Sequence, residues 1–448
     1  MHKFRQHWSN LRSSFWFLPS LIVLVNIILA VVFIEADSAG SDRWLAQWPL
    51  LFGAGAEESR QMLATLAGSM MTVLGVTFSM TLVALTLASS QYTSRILRNF
   101  IRSKVTQGAL GTFAGTFVYC LIVLRTIRGS GGAEFVPGLA VFFAFALALT
   151  SVGVLIFFIH HIATSIQASS IIATVAHETI VSIDQQFEKK IGQDPAEDED
   201  ESKQLRLLAE KHWRTVPARI SGYIQSVDGG ALIRLASQRQ TILRMEQGVG
   251  DFVVRGTALA SLAREAPLDL KTIAAVHAAY HISSHRTVDQ DPAFGIRQIV
   301  DMALKALSPG VNDISTAVMC VDYLSAILAQ LTMKELPPLR RYEGGELRLV
   351  GIGPTFASLL GESFDQIRSS AAGNAAILTR MLSALETILS LTDRSHCRKE
   401  LATQVQWIAE LAQRSIDSRH DLQRIEQRSK ALRDKLICAP FSSMHESV

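Results

Sequence analysis

Three histidines are spaced as metal ligands could be. His277, His281 and His285 recur at every fourth position, so a continuous α-helix would place all three on one face. Neighbouring imidazoles at this spacing can chelate a transition metal, and they could also make an interface sensitive to pH. No HExxH pattern is present, and Tyr280 and Ile282 beside them are typical of an ordinary packed helix. The sequence therefore favours packing over a metal site and predicts no cofactor.

A second group of polar residues surrounds the stretch ALKALSPGVNDISTAV at 303–318. A helix stop, SPG, is followed after one valine by two residues that can cap the next helix. The helix before the stop starts well, with Asp291 ahead of a proline, and within it Asp301 and Lys305 fit an i, i+4 ion pair. The polar residues of this corner are Arg286, Asp291, Asp301, Ser308, Asn312 and Asp313.

The corner has two interpretations. It could bind an anion or a nucleotide, with Arg286 or Arg297 and the amides of the new helix around a phosphate. No GxxxxGK[ST] loop supports this, and Asp313 would compete with the anion. A helix–turn–helix joint is the favoured interpretation, and binding of a ligand or of an interface partner is the alternative.

The apolar run at 62–90 carries a stripe of small and hydroxylated residues. At 100° per residue, eight positions fall within an arc of about 80°. Such a stripe is typical of close helix packing, and it is also typical of the lining of a polar path in an oligomer. We call these positions the stripe: Thr65, Gly68, Thr72, Gly75, Ser79, Val83, Thr86 and Ser90.

A basic loop follows the stripe. Arg95, Arg98, Arg102 and Lys104 occur there without any acidic residue, as a cytoplasmic vestibule would require. No Asp, Glu, Lys, Arg or His lies inside the core of an apolar run, which disfavours a proton-coupled pump or carrier.

Four apolar runs are long enough to cross a membrane, at 15–34, 62–90, 108–125 and 136–159. The first is too long for a typical signal-peptide core and has no convincing cleavage site, so it is interpreted as an uncleaved anchor. Basic residues lie before the first apolar run and after the second apolar run, so both termini are expected in the cytoplasm. The expected location of the chain is a bacterial inner membrane.

The remaining chain is divided by composition. A transmembrane domain at 1–160 is followed by an amphipathic stalk helix at 161–192 and an acidic linker at 193–212. A small β-containing module at 213–265 and a helical domain at 266–448 complete a mainly helical cytoplasmic α+β domain. The helices expected in the last domain are 268–284, 292–307, 313–332, 354–371, 374–391 and 396–435. The predicted fold class is thus an α-helical integral membrane protein with four transmembrane helices.

Three stretches carry a family resemblance: ASSQYTSRILRNFIRSKVTQ, SGYIQSVD with GDFVVRGTAL, and HRTVDQDPAFGIRQIVDMALKALSPGVNDISTA. With them, the chain resembles the uncharacterised bacterial predicted-membrane-protein family known as domain-of-unknown-function family 2254. Family members typically have proline where Ile314 stands and often where Ser94 stands. The resemblance implies a four-span inner-membrane protein with a cytoplasmic C-terminal domain, and it implies no activity and no catalytic residue.

Two functional hypotheses follow. The first is a homo-oligomeric channel-like protein in which the stripe lines a path for an ion or small solute and the cytoplasmic domain assembles or gates it. The second is a membrane-anchored scaffold or sensor whose cytoplasmic domain binds a partner or small ligand. An enzyme is not expected, because no catalytic motif occurs, and a net charge of +3 on 448 residues gives no indication of nucleic-acid binding. The lipid bilayer is the expected partner.

Overall fold

The structure is a computed structural model that describes residues 16–38, 55–91, 103–128, 135–165, 167–187, 208, 211–334 and 339–437. The chain divides into two compact units, Met1–Ser170 and Ile171–Val448.

The described part of the first unit contains four long helices, namely α1 (Phe17–Ser38), α2 (Ala56–Gln91), α3 (Lys104–Thr126) and α4 (Gly138–Ser165). Helix α3 contacts each of the other three. More than half of its apolar segment is buried, against less than a quarter in each of the others. Large apolar side chains of the outer helices, such as Leu24, Phe78 and Ile156, are exposed. These helices therefore surround α3 and present an apolar surface outward.

Glycines allow α1 to approach α3 closely. A Cβ atom added at Gly111 would lie 3.0 Å from the backbone Cα of Pro19 and 2.8 Å from Cδ1 of Ile22. One added at Gly115 would lie 2.5 Å from Nδ2 of Asn26. The two glycines form a GxxxG pattern, which brings helix backbones together in apolar surroundings.

Polar contacts at the helix ends fix the direction of the four helices. The carboxylate of Asp37 at the end of α1 accepts hydrogen bonds from the backbone amides of Leu139 and Ala140 at the start of α4, at 3.2 Å each. Arg60 near the start of α2 donates to the carbonyl of Ile127, which follows α3, at 2.9 Å. Consecutive helices therefore run in opposite directions.

The second unit contains nine helices and eight strands among its described residues. The helices are α5 (Ala168–Phe187, whose first residues precede the unit), α6 (Gly229–Gln238), α7 (Leu270–Ala279), α8 (Pro292–Ala306), α9 (Ile314–Met333), α10 (Phe356–Ser370), α11 (Ala375–Leu389), α12 (Ser395–Ser415) and α13 (Arg419–Ile437). The strands are β1 (Trp213–Pro217), β2 (Gly222–Val227), β3 (Leu243–Met245), β4 (Phe252–Val253), β5 (Ala258–Ala263), β6 (Tyr280–Ser283), β7 (Arg340–Glu343) and β8 (Glu346–Val350).

The strands form two sheets with a shared core. A five-stranded sheet has the order β1-β5-β3-β8-β7, and a three-stranded antiparallel sheet has the order β4-β2-β6. Only β3 and β8 pair in parallel within the larger sheet. Ile224, Leu232, Leu259 and Val276 pack between these strands and the helices α6 and α7.

Helices α5 and α8 to α13 form the rest of the described part of the second unit. Side chains cap several of the helix starts, as their sequence types predict: Asp291 for α8, Asp313 for α9, Thr355 for α10 and Asn374 for α11. Helix α9 is long and apolar enough to cross a membrane, so the described residues contain five such helices by length and composition. Cys320, Leu324 and Leu328 on α9 are fully buried within the unit.

Several boundaries differ from the sequence-based expectation. The predicted fourth span and stalk are separate helices, because α4 ends at Ser165 and α5 begins at Ala168. The predicted helix at 268–284 ends at Ala279, the expected helix at 396–435 is divided into α12 and α13, and strands β6 to β8 lie beyond 213–265. Most of the acidic linker at 193–212 lies outside the described residues.

Candidate functional site

The stripe lies on the outer surface of α2. Thr65, Gly68, Thr72, Gly75, Ser79, Val83 and Thr86 are all exposed, and the side chain of Ser90 lies outside the described part. The buried residues of α2 are on the opposite side, where Leu63, Ala67 and Met70 pack in the cores shared with the other helices of the unit. At 100° per residue the centres of the two faces are about 180° apart. Among the residues that the structure describes, the packing of α2 therefore does not use the stripe.

The stripe hydroxyls are bonded to their own helix. Thr65, Thr72 and Thr86 donate from Oγ1 to the carbonyl oxygens of the residues four positions earlier, at 2.7, 3.0 and 2.8 Å. Each hydroxyl has thereby used its proton, while its oxygen keeps lone pairs that can accept. A Cβ atom added at Gly68 or Gly75 would meet nothing within 4 Å, so the stripe also contains two open notches. The surface is suited to groups that donate hydrogen bonds or carry positive charge.

Only part of the basic loop is described. Arg95, Arg98 and Arg102 lie outside the described residues, and Lys104 is the first residue of α3. Ser103 accepts a hydrogen bond from the amide of Thr106 at 3.4 Å, and its Oγ lies 3.2 Å from Nε2 of His161 near the end of α4. His161 was missed by the sequence analysis because the fourth apolar run was ended at 159, two residues before it.

The corner residues are spread along α8 and do not form one site. Arg286 and Asp291 are at its start, Asp301 is in its second half, and the other residues follow its end. The helix has 15 residues and a length of about 22 Å. The six residues therefore occupy at least two separate places.

Arg286, which is partly exposed, and Asp291, which is buried, form a bidentate ion pair. Nε and Nη2 of Arg286 donate to the two carboxylate oxygens of Asp291 at 2.8 and 3.0 Å. Asp291 is 3% exposed and also accepts from the amide of Phe294 at 3.0 Å. The guanidinium of Arg286 lies 5.1 Å from the centre of the Phe294 ring. Because the Asp291 carboxylate already accepts from the guanidinium, Arg286 is engaged at the start of α8, away from the start of α9, where the phosphate was predicted.

The residues after α8 make a tight joint. Ser308 donates to the carbonyl of Lys305 at 2.6 Å, and Asn312 has a left-handed backbone with φ of 47°. Asp313 accepts from the amide and the hydroxyl of Thr316 at 3.0 and 2.5 Å, which lowers its pKa. Asp301 pairs with Arg297 at 2.8 Å. These contacts account for the corner as a joint.

The histidines do not share a helical face, so that prediction was wrong. His277 lies on α7, His281 on β6 and His285 after β6, because β6 pairs with β2 and ends the helix. Nε2 of His277 is 2.8 Å from the carbonyl oxygen of Pro217. Among the described residues, no group of three or more His, Cys, Asp or Glu side chains is placed to hold a metal ion.

Known proteins identify the family. Residues 12–387 match the family model described as "Predicted membrane protein (DUF2254)". The chain belongs to this family. Uncharacterised proteins of Mycobacterium tuberculosis and Mycobacterium bovis are each 32% identical to it over 425 residues, which cover 92% of this chain and 78% of each relative. No solved structure matches the chain. The family confirms the resemblance, and it makes the chain a predicted membrane protein.

Two of the stretches that carry the DUF2254 resemblance meet around the loop at 285–291. Gln225 on β2 donates to the carbonyl of His285 at 2.7 Å, and the amide of Val227 donates to Oε1 of Gln290 at 3.2 Å. Gly250 has φ of 91°, and a Cβ atom there would lie 2.7 Å from Oδ2 of Asp291. The β-strands are therefore attached to the start of α8 through this loop.

Helix α5 holds the same loop from another side. Ser182 donates to the carbonyl of Val288 at 2.6 Å, and Gln186 donates to that of Gln290 at 3.0 Å. A Cβ atom at Gly295 would lie 1.9 Å from Oγ1 of Thr179, so α5 and α8 are in close contact. The sequence analysis missed Ser182 and Gly295. Their signal was weak, since a lone glycine or serine in a helix or turn does not indicate its distant partner.

Proposed function

We propose that this DUF2254 protein is a homo-oligomeric, channel-like membrane protein in which the stripes of several α2 helices line a narrow, hydroxyl-rich path. The outward position of the stripe, opposite the buried face of α2, carries the proposal. Faces built from Gly, Ser and Thr bring helices together in a bilayer. The stripe of one copy is thus free to meet that of another.

The chemistry of the stripe favours a small cation over an anion. The Thr65, Thr72 and Thr86 hydroxyls donate inward to α2, so their oxygens present lone pairs outward. Rings of oxygen atoms replace the hydration shell of a cation in known selectivity filters. Among the described stripe residues no charged side chain would bind an ion too tightly to release it.

We propose that α1 to α4 span the bacterial inner membrane and that both termini are cytoplasmic. The outer helices expose large apolar side chains, as lipid contact requires, and the basic residues follow the positive-inside pattern. Helix α9, the fifth apolar helix, is assigned to the core of the second unit because Cys320, Leu324 and Leu328 are fully buried there.

The second unit would then act in the cytoplasm as the assembly or gating domain. Its helix α5 follows α4 directly in the chain and is tied to the start of α8 by Ser182 and Gln186. Asp184 on α5 accepts from Gln330 on α9 at 2.9 Å and lies 3.1 Å from Lys334. A movement of α5 would therefore be transmitted to both α8 and α9. No enzymatic activity is proposed.

The alternative is a membrane-anchored scaffold or sensor whose second unit binds a partner or a small ligand. The apolar side chains of Val311 and Ile314, exposed at the joint between α8 and α9, favour it. Retention of a specific partner by the full chain, without flux through it, would support this function.

The deciding experiment is potassium flux from liposomes that contain the purified protein. Ser79→Trp places a bulky ring on the stripe, and Phe78→Trp places the same ring at the same depth but about 100° around the helix. We expect flux through the wild type and through Phe78→Trp, and loss of flux in Ser79→Trp with unchanged oligomer size. A monomeric protein, or a well-folded oligomer without flux at several voltages, would exclude the channel.

A further inference from the structure

The three-stranded sheet carries an exposed apolar edge. Phe252 on β4 is paired with Tyr223 on β2, and their rings meet edge to face at 5.0 Å. Val253, which lies between Phe252 and Val254 in the chain, is buried. Because side chains alternate along a strand, Phe252 and Val254 project to the outer side. Phe252 is 55% exposed, Val254 is 51% exposed, and Ile220 in the adjoining turn is 53% exposed. We call these three side chains with Arg219 and Arg255 the sheet tip.

The sheet tip is held in a fixed shape by its backbone. The amide of Gly256 donates to the carbonyl of Ala218, and the amide of Ala218 donates to the carbonyl of Thr257, each at 2.9 Å. The amide of Arg255 donates to Oγ of Ser221 at 2.9 Å. The two adjoining turns are therefore joined to each other, and the apolar side chains cannot withdraw without breaking these bonds.

Two arginines flank the apolar side chains. Arg219 and Arg255 are exposed, and within the described part of the chain neither has an acidic partner. The neighbouring acid, Asp251, is turned away, since its Oδ2 accepts from the amide of Gly248 at 2.7 Å. The sheet tip thus combines positive charge with apolar and aromatic surface.

We propose that the sheet tip binds the surface of an anionic lipid bilayer. Phenylalanine and aliphatic side chains on the apolar face of an interfacial segment enter the boundary between headgroups and acyl chains. Arginine donates in a fork that matches phosphate oxygens, and the cytoplasmic leaflet carries anionic lipids. Phe252, Val254 and Ile220 enter the headgroup region, while Arg219 and Arg255 bind the phosphates around them.

A second copy of the chain is a less suitable occupant. Strand β4 is the edge of its sheet but contains only two residues, too few to template a strand from another chain. Two copies of the same tip would also bring four arginines together without an acid to balance them. The charge of the tip is complementary to phosphate groups instead.

The test uses the full-length protein in nanodiscs with a photoreactive side chain at the tip. Phe252 is replaced with p-benzoylphenylalanine, and Trp407, an exposed aromatic residue on α12, receives the same replacement as the matched control. Irradiation is followed by mass spectrometry of the adducts, in phosphatidylcholine nanodiscs and in nanodiscs that also contain phosphatidylglycerol.

We expect a lipid adduct at position 252, with a yield that increases when phosphatidylglycerol is present. We expect no lipid adduct at position 407. Arg219→Gln with Arg255→Gln should lower the adduct yield in phosphatidylglycerol by roughly fivefold for each arginine, without lowering the melting temperature. Three results would overturn the proposal. They are the absence of a lipid adduct at position 252, an adduct yield that changes neither with phosphatidylglycerol nor with the arginine substitutions, and cross-linking to a second copy of the chain. The result is independent of potassium flux, so either proposal can fail alone.

Discussion

Arg286 donates two hydrogen bonds to the Asp291 carboxylate, which at the same time caps helix α8. The arrangement engages the Arg286 guanidinium within the protein. The buried side chain of Asp291 thus makes three contacts. It neutralises Arg286, accepts a hydrogen bond from the amide of Phe294 and faces the backbone of Gly250. The pair therefore holds the strands and helices of the second unit together.

Asp291→Ala should destabilise the second unit strongly. The change leaves the Arg286 guanidinium without its partner and removes the cap of α8, for an expected loss of about 3 kcal/mol. Asp322→Ala is the control, because its pair with Arg380 is more exposed and surface pairs contribute about 0–1 kcal/mol. Thermal unfolding of the purified full chain in detergent measures both. Equal effects of the two changes would contradict the role of Asp291.

Gly250→Ala should cost more than Gly256→Ala. Both glycines have a left-handed backbone, with φ of 91° and 90°, so alanine is strained at each by about 1–2 kcal/mol. Only at position 250 does the new Cβ atom also meet Asp291 and Arg286, at 2.7 and 2.9 Å, whereas at 256 it meets nothing within 4 Å. The difference between the two melting temperatures isolates the contact with the ion pair. No difference would mean that the pair yields to the methyl group at little cost.

Gly111→Val should separate α1 from α3. Its Cβ atom would lie 3.0 Å from the Cα of Pro19, and backbone cannot move aside as a side chain can. Overpacking of this kind costs about 1–3 kcal/mol. Gly153→Val on α4 is the control, because nothing lies within 4 Å of its Cβ position. Thermal stability in detergent should fall for position 111 alone, and an equal fall at 153 would point to helix propensity instead.

Glu386 should make stability depend on pH. Hydrogen bonds from Lys435 at 2.7 Å and Arg428 at 3.1 Å lower its pKa below the ordinary value of 4.5. A carboxyl with a lowered folded-state pKa contributes stability that is complete above its unfolded pKa and disappears as pH falls through the folded one. The melting temperature of the wild type should therefore exceed that of Glu386→Gln at pH 7, and the gap should close below about pH 4.5. A gap that stays constant down to pH 3 would contradict the ion-pair origin.

Local signals were sufficient for many elements of the fold. Asp291 and Asp313 cap α8 and α9 as their positions before the helices predict, because capping involves residues only three positions apart. The four apolar runs coincide with α1 to α4 for a similar reason, since a long apolar helix is marked by composition alone.

Pairing and packing partners that are distant in the sequence could not be predicted from local patterns. The segment with His277 and His281 has a helical spacing, but β6 forms because Ile282 and Ser283 pair with strand β2, almost sixty residues earlier. The face of α2 that packs against α3 could not be predicted from hydropathy either. In hydrocarbon, lipid and a neighbouring helix are equally apolar, so Leu63 and Met70 carry no sign of which one they will meet.

The inward hydroxyl bonds of α2 have a consequence for assembly. The hydroxyl groups of Thr65, Thr72 and Thr86 already donate hydrogen bonds within α2. A single copy in lipid would therefore leave none of these three donors without an acceptor. In the proposed assembly, self-association would therefore not be required for survival in the bilayer, and mass action would set the balance between single and associated copies. The amount of the protein in the membrane would then set the fraction of chains that are associated, so the oligomeric state would vary with expression level.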